Sequence, residues 1–434
     1  MAATRVVVPA WNCVAPVLRR LDDAELLKLQ RPAPLNADPV TEWISFSKDI
    51  VPVHSSEVVP DTSQTLCLHT AAPPLGRMVT STVEVGVGEL VFATPAFAVA
   101  LSRQFVATHC HMCFHKLRGK IVQCADCHFA RYCDRGCMAA HLDLHTIQCH
   151  ILLPQLYPPR STHDQTNDDA ADLHTRLVLA VVAMEITMNN PNEIQDLCTY
   201  NATAQDAAFL ATGTTLHAAM KNTPAWITPS HIADVYRAIR YNSHPIVVDL
   251  HMSALGLGLF PDAAKMINHS CAPNTFPRFN AANHALEFRA VSPLLPGSVV
   301  TYSYLDVFGF ALLQPTPTRQ SLLYSAFQFD CRCSRCISSF STSHEQSDAW
   351  NVDANLAQLD SAQNNQDWVA VTDVCDQIMT HWTSTLDLPA NYPLMYVLQK
   401  KMDLAATHGP ASRQRGNVSA DEILNVCGFG NNPR

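Results

Sequence analysis

Eight cysteine and histidine residues fall in four short pairs between positions 110 and 149: Cys110-x2-Cys113, Cys124-x2-Cys127, Cys133-x3-Cys137 and His145-x3-Cys149, with Tyr132 just before the third pair. No other stretch limits so strictly what the chain can fold into. Zinc takes four soft ligands in a tetrahedron, and each short pair supplies half a site, so eight ligands make two sites. Structural zinc contributes about 10–16 kcal/mol of apparent binding energy to such modules, which replaces a core that so short a piece cannot build. His109, His111, His115, His128 and His150 read as surface residues, and His141 is the one competitor to His145.

A second constellation lies downstream. An apolar approach, Gly258-Leu259-Phe260-Pro261 through Met266-Ile267, delivers Asn268-His269-Ser270-Cys271-Ala272-Pro273-Asn274. Val299-Val300-Thr301-Tyr302-Ser303-Tyr304 follows, and then Cys331-x-Cys333-x2-Cys336. The remaining cysteines, Cys13, Cys67, Cys198, Cys375 and Cys427, have no spacing pattern and read as ordinary thiols.

Composition excludes some classes. With 434 residues, 47% hydrophobic and 15% charged, the chain is globular and long enough for two to three domains. A net charge of −9 argues against bulk attraction to nucleic acid. Lys116, Arg118, Lys120, Arg131 and Arg135 in the cysteine-rich block are partly offset by Asp126, Asp134 and Asp143. No apolar run approaches the ~18 residues of a membrane span; Leu177–Ile186 is too short and reads as a buried helix. The first twenty residues lack an uninterrupted apolar region, and Asp22, Asp23 and Glu25 follow, which argues against a signal peptide. An intracellular location, cytoplasmic or nuclear, is expected, where paired cysteines mean metal before disulfides. A monomer is expected.

Local patterns place elements around these motifs. Residues 1–70 read as an extension with weak helical character at Asp22–Leu29. Alternation from Gly76-Arg77-Met78-Val79 to Val85, then Gly86-Val87-Gly88-Glu89-Leu90-Val91-Phe92, predicts a β-hairpin. Leu173, Leu177, Val178 and Val181 have helical spacing. Thr228-Pro229 reads as an N-cap followed by proline at the first helical position, with Ile232, Val235, Tyr236 and Ile239 on one face and an end near Arg240. Helices are also predicted at Trp368–Cys375 and Leu394–Ala406, whereas Gly416–Arg434 reads as irregular and no 34-residue repeat is evident.

The Asn-His-Ser-Cys-x-Pro-Asn string, the strand ending in Tyr304 and the Cys-x-Cys-x2-Cys tail jointly resemble the core of a SET-domain protein methyltransferase. The cysteine array resembles a MYND finger, a family that alternates its pairs. This resemblance implies Cys110, Cys113, Cys133 and Cys137 at one zinc ion, and Cys124, Cys127, His145 and Cys149 at another. A SET domain split by a MYND finger and a helical insert resembles the SMYD-type lysine methyltransferases over roughly residues 75–340. The fold class implied is α+β: a β-rich SET domain so divided, followed by a C-terminal helical, partial tetratricopeptide-like domain. The divisions implied are an extension at 1–70, SET N-terminal part 71–109, MYND finger 110–149, helical insert 150–245, SET core 246–312, post-SET zinc segment 313–340 and helical domain 341–434.

The same resemblance assigns roles. The family transfers a methyl group from S-adenosylmethionine to a protein lysine. Gly76, Arg77, Asn242, Asn268 and His269 are implied in holding the donor, Asn268 through its side chain and His269 largely through its backbone. Tyr304 lies at the transfer channel and is implied as both donor contact and catalytic residue. Phe329 packs on the adenine, and Phe327 lines the channel. Cys271, Cys331, Cys333 and Cys336 complete a third zinc site, making three ions. Met78 stands where family members often have a second glycine, and Phe327 where they usually have tyrosine. These departures favour the rival expectation, a catalytically weak or inactive scaffold whose MYND finger binds proline-containing peptides; the intact Asn268-His269, Tyr304 and third zinc site favour the leading one, a protein-lysine N-methyltransferase acting on histone or non-histone proteins. The partners implied are a protein with a target lysine and such a peptide.

Overall fold

The computed structural model describes residues 41–44, 65–70, 77–149, 169–190, 194, 197, 206–220, 223–248, 254–305, 309–338, 350–408 and 419–429. Asp22–Leu29, Gly76, Cys13, Cys198 and His150 lie outside the described residues. In the stretch read as an extension, two strands appear: β1 (Thr41–Ile44) and β2 (Leu66–Thr70). Next come β3 (Arg77–Ser81), β4 (Leu90–Pro95), β5 (Ala98–Leu101), β6 (Ile121–Cys124) and β7 (Arg131–Tyr132). β1 runs parallel to β6, and β6 is antiparallel to β7, so the cysteine-rich block carries a small sheet joined by a strand from far upstream.

The expected hairpin does not form. β3 pairs antiparallel with β2, while β4 turns away to a later strand. The intervening loop explains the divergence. Val85 bridges Leu294, and the Gly88 amide donates to the Ala290 carbonyl at 2.8 Å, so backbone groups of the loop are committed to the 290–294 stretch. Gly88 sits at φ 86°, a conformation that only glycine adopts without strain.

Three long helices follow: α1 (Asp169–Met188), α2 (Asp206–Ala219) and α3 (Pro229–Asn242). In α1, Leu177 to Ala183 are buried without interruption. A helix apolar all round must be packed on every side. It packs against β5 and β9 (Gly256–Leu259), against α3 and against the short helix Leu142–Ile147 of the cysteine-rich block. Thr228 caps α3 as its sequence predicts, its Oγ1 accepting from the His231 amide at 3.1 Å. The helix runs two residues past Arg240 and ends at Asn242.

The chain then lays down β8 (Ser243–Ile246), β9, β10 (Asn268–His269), β11 (Thr275–Asn280), β12 (Ala285–Ala290) and β13 (Thr301–Tyr302). The sheets run β5-β9-β8 and β11-β12-β4, with β10 parallel to β13. A Cβ on Gly256 would run into the Ala100 carbonyl oxygen, so the β5–β9 pairing needs glycine there. β10–β13 is the junction that matters for the site, because it sets Asn268 beside Thr301 and His269 beside Tyr302.

The remaining α-helices of the described chain are α4 (Thr316–Phe327), a short helix Ser334–Ser338, α5 (Val352–Asn364), α6 (Trp368–Thr380), α7 (Pro393–His408) and α8 (Ala420–Val426). α8 falls in the stretch read as irregular. Its start is a capping box, with the Ser419 hydroxyl accepting from the Glu422 amide and the Glu422 carboxylate accepting from the Ser419 amide. These helices do not form a core of their own. Val371, Trp382, Tyr392 and Ile423 share one buried cluster with Cys271, Phe276, Leu305, Cys331 and Cys336.

Candidate active site

Among the described residues, three sets of four ligand atoms gather, each within 4.8 Å of one another: Cys110, Cys113, Cys133 and Cys137; Cys124, Cys127, His145 and Cys149; and Cys271, Cys331, Cys333 and Cys336. The Cys113–Cys133 sulfurs are 3.5 Å apart, Cys124–Cys149 3.7 Å, and Cys127 Sγ lies 3.7 Å from His145 Nε2. Cys271 Sγ is 3.9 Å from Cys331 Sγ and 3.6 Å from Cys336 Sγ. A tetrahedron built on zinc–sulfur bonds of about 2.3 Å has edges of about 3.8 Å. Two all-thiolate sets and one set of three thiolates with an imidazole nitrogen, at these spacings, therefore fit zinc.

His141 is not in the second set; its Nδ1 bonds the Tyr132 hydroxyl at 3.1 Å, on a tyrosine that is fully buried. Two other histidines of this block are structural and not surface residues. His109 is buried, with Nδ1 2.9 Å from the Thr108 hydroxyl, and His111 Nδ1 accepts from the Arg131 amide at 3.1 Å. Burial drives both well below the usual imidazole range, to about 4 and about 3.

The third set is surrounded by cations and N–H donors. Arg319 is completely buried, and its Nη2 points at Cys336 Sγ at 3.7 Å. Buried Arg335 donates to the carbonyls of Cys271 and Leu312 at 3.0 and 2.8 Å. Four thiolates around one divalent ion carry a net charge of −2. Two buried guanidinium groups balance it, which a set of neutral thiols would not call for. The Cys271 amide also donates to Cys333 Sγ at 3.4 Å.

Beside this cluster lies a group of half-buried aromatic rings that would line the recess of an active site. The Tyr304 ring is 5.3 Å from His269, 5.3 Å from Phe327 and 6.3 Å from Phe329, and His269 and Phe329 are 6.1 Å apart. The Tyr304 hydroxyl donates to the Ile267 carbonyl at 2.7 Å. Its amide donates to His269 Nδ1 at 3.0 Å. At the polar end, the Asn268 side-chain amide donates to the Arg77 carbonyl at 2.7 Å, tying β10 to the start of β3. Arg77 is exposed, and Met78 is partly buried opposite His69 on β2. Asn242 is buried at the end of α3, with its side-chain amide donating to the Ala238 carbonyl at 2.7 Å. Tyr324 is 54% exposed, whereas Phe327 is packed against Tyr304. The Asn268 amide and the Arg77 carbonyl thus lie at one end of this group, with incompletely covered aromatic rings at the other.

Tyr302 and His244 were not singled out from sequence. Both are buried, their rings are stacked 5.5 Å apart, and a 2.6 Å hydrogen bond joins the hydroxyl to His244 Nε2. Burial lowers His244 to about 4 and raises Tyr302 well above the usual phenol range, so both are neutral. The legible signal is alternation: Tyr302 and Tyr304 are two residues apart, and their rings lie 4.8 Å from each other.

Comparison with known proteins agrees with this geometry. The SET domain family model matches residues 76–305. The N-lysine methyltransferase SMYD2 of Mus musculus is 30% identical over 260 residues, covering 58% of this chain and 55% of the relative. SMYD2-B of Danio rerio is 28% identical over 288 residues, and SMYD2 of Homo sapiens 28% over 275, each covering 61% of this chain and 59% of the relative. The matched region thus spans less than two thirds of the length of these curated relatives. The chain belongs to the SET domain family, with the SMYD2 N-lysine methyltransferases among its relatives.

Proposed function

We propose that this chain is an S-adenosylmethionine-dependent protein-lysine N-methyltransferase of low turnover, held together by three zinc ions. The observation that carries the proposal is Tyr304, fixed at both its amide and its hydroxyl by the Ile267–His269 stretch and flanked by Phe327 and Phe329. Asn268, His269, Arg77 and Phe329 would hold the donor, with Gly76 and Asn242 assigned to the same group by resemblance. S-adenosylmethionine, when bound, supplies a methyl group already activated as a sulfonium.

The chain's own residues then have three tasks. The first is to keep the amine neutral: Tyr304, Phe327 and Phe329 present apolar surface, and desolvation lowers the pKa of an entering lysine. The second is to orient it. The Tyr304 oxygen retains lone pairs that accept from an amine N–H, and its direction is fixed by the bond to Ile267. The third is to exclude water, which the ring cluster does on the side of α4. Phe327 contributes a wall but no hydroxyl, so orientation rests on Tyr304 and turnover is slow.

The expected partner is a protein with an accessible lysine. A proline-containing peptide is assigned to the cysteine-rich block, where β1 already takes one edge of the sheet. No described helix is long and apolar enough to cross a membrane. Calorimetric titration with S-adenosylmethionine, paired with a methyl-transfer assay on protein lysines, tests the reading. Donor binding with slow transfer is expected; a protein that binds no donor is a scaffold.

A further inference from the structure

We propose that the His269 imidazole is a positioning residue that couples the Cys271/Cys331/Cys333/Cys336 cluster to Tyr304. The inference rests on the methyltransferase reading for its effect on rate, and on geometry alone for the coupling itself.

The tautomer follows from the partners. A backbone amide can only donate, so the 3.0 Å contact from the Tyr304 amide makes His269 Nδ1 an acceptor. A neutral imidazole accepting at Nδ1 carries its proton on Nε2. That atom lies 3.2 Å from Cys271 Sγ, so Nε2–H donates to the sulfur. One side chain therefore holds a cluster sulfur with one edge and residue 304 with the other.

The arrangement is closed, not a chance contact. Tyr304 is anchored by its amide to His269 and by its hydroxyl to the carbonyl of Ile267, two residues earlier. The tyrosine thus cannot turn without moving the 267–269 stretch. That stretch is held in turn by Cys271, whose sulfur sets the plane of the imidazole. The N–H···S bond joins those from the Cys271 amide to Cys333 and from Arg319 to Cys336 in drawing charge off the thiolates. Outer partners of this kind retain metal as well as orient ligands, and losing one costs about 10–100-fold in affinity. When the cluster opens, the imidazole loses its orienting sulfur and the Tyr304 amide its fixed acceptor.

Two substitutions divide the functions of the ring. His269→Asn sets a carbonyl oxygen near the position of Nδ1 and reaches no sulfur; His269→Gln sets an amide near the position of Nε2 and offers Tyr304 no acceptor. Three quantities are measured on the full chain: zinc release to a chelating dye, hydrogen exchange of the Tyr304 amide, and kcat. His269→Asn is expected to release one of its zinc ions about tenfold faster than the unmutated protein while keeping the Tyr304 amide protected. His269→Gln is expected to keep its zinc, lose that protection and show the lower kcat of the two. If both variants alter zinc release and amide protection alike, or neither alters them, the coupling is wrong. A check without mutation uses 15N-histidine NMR at neutral pH, where an Nδ1-protonated His269 would overturn it. If donor binding and methyl transfer are both absent from the unmutated protein, the methyltransferase reading fails, whereas zinc release, exchange and tautomer still decide the coupling.

Discussion

At the scale of single residues, the two phenyl positions at the end of α4 decide how much chemistry the recess can do. Phe327 packs on Tyr304, and Tyr324, one helical turn earlier, is 54% exposed. Phe327→Tyr is therefore expected to raise kcat about fivefold, the equivalent of one hydrogen bond of about 1 kcal/mol to the incoming amine. Tyr324→Phe is expected to leave it unchanged. A rate change confined to the Tyr324 variant would show that the wrong residue has been placed at the recess. Tyr304→Phe tests the other hydroxyl. It removes the bond to the Ile267 carbonyl but keeps the ring, so kcat should fall at least about tenfold while the donor dissociation constant, read by calorimetry, moves less than threefold, about 0.7 kcal/mol. The reverse pattern would make Tyr304 a binding residue.

At the scale of elements, the β11–β12 pair is tied by one buried carboxylate. Glu287 on β12 accepts from Arg278 Nε and Arg289 Nη2, each at 3.1 Å, and from the Asn280 side chain at 2.8 Å. Burial pushes its pKa up, but the Asn280 bond and the charges of Arg278 and Arg289 outweigh that, and it lies below the usual carboxylate value. A carboxylate depressed in the folded state stabilises it fully above the unfolded pKa of about 4.3, and that contribution is lost as pH falls through the folded value. Glu287→Gln should cost about 2 kcal/mol at neutral pH, because two half-buried guanidinium groups lose their charge partner. In urea unfolding the gap between variant and unmutated protein should narrow below about pH 4; a constant gap would locate the acid sensitivity elsewhere.

The same sheet shows where sequence was legible and where it was not. Thr228 with Pro229 announces α3 because capping is decided within four residues, and Leu177–Ile186 announces a buried helix by composition alone. The partner of β4 is almost 200 residues away on β12, so adjacency suggested a hairpin that tertiary pairing overrode. β1 has its partner 80 residues downstream, and nothing local distinguishes it. α8 differs: Ser419-Ala420-Asp421-Glu422 is a local capping-box signal, set among Gly and Asn residues that give the stretch an irregular look. At the site, short cysteine spacings localised the ligands, whereas His244 needed Tyr302, 58 residues on, to have any visible purpose.

For the whole molecule, the Cys271 cluster is the point where strand core and C-terminal helices become one body. Cys271, Cys331 and Cys336 share a buried cluster with Trp382, Tyr392 and Ile423, and Phe276 on β11 packs 5.9 Å from Tyr392 and 6.5 Å from Phe429. The cysteine-rich block has its own small core of Val122, Ala130, Tyr132 and Met138 around the other two sets. The two regions should therefore respond separately to loss of metal. Elemental analysis of unstripped protein is expected to give three zinc ions per chain. Cys333→Ser should reduce that to two and abolish donor binding, because His269 and Asn268 lie two and three residues before Cys271. The block from Cys110 to Cys149 should keep both of its ions and its protection against proteolysis. Donor affinity that survives Cys333→Ser would separate this cluster from the recess, and loss of all three ions together would show that the two cores unfold as one.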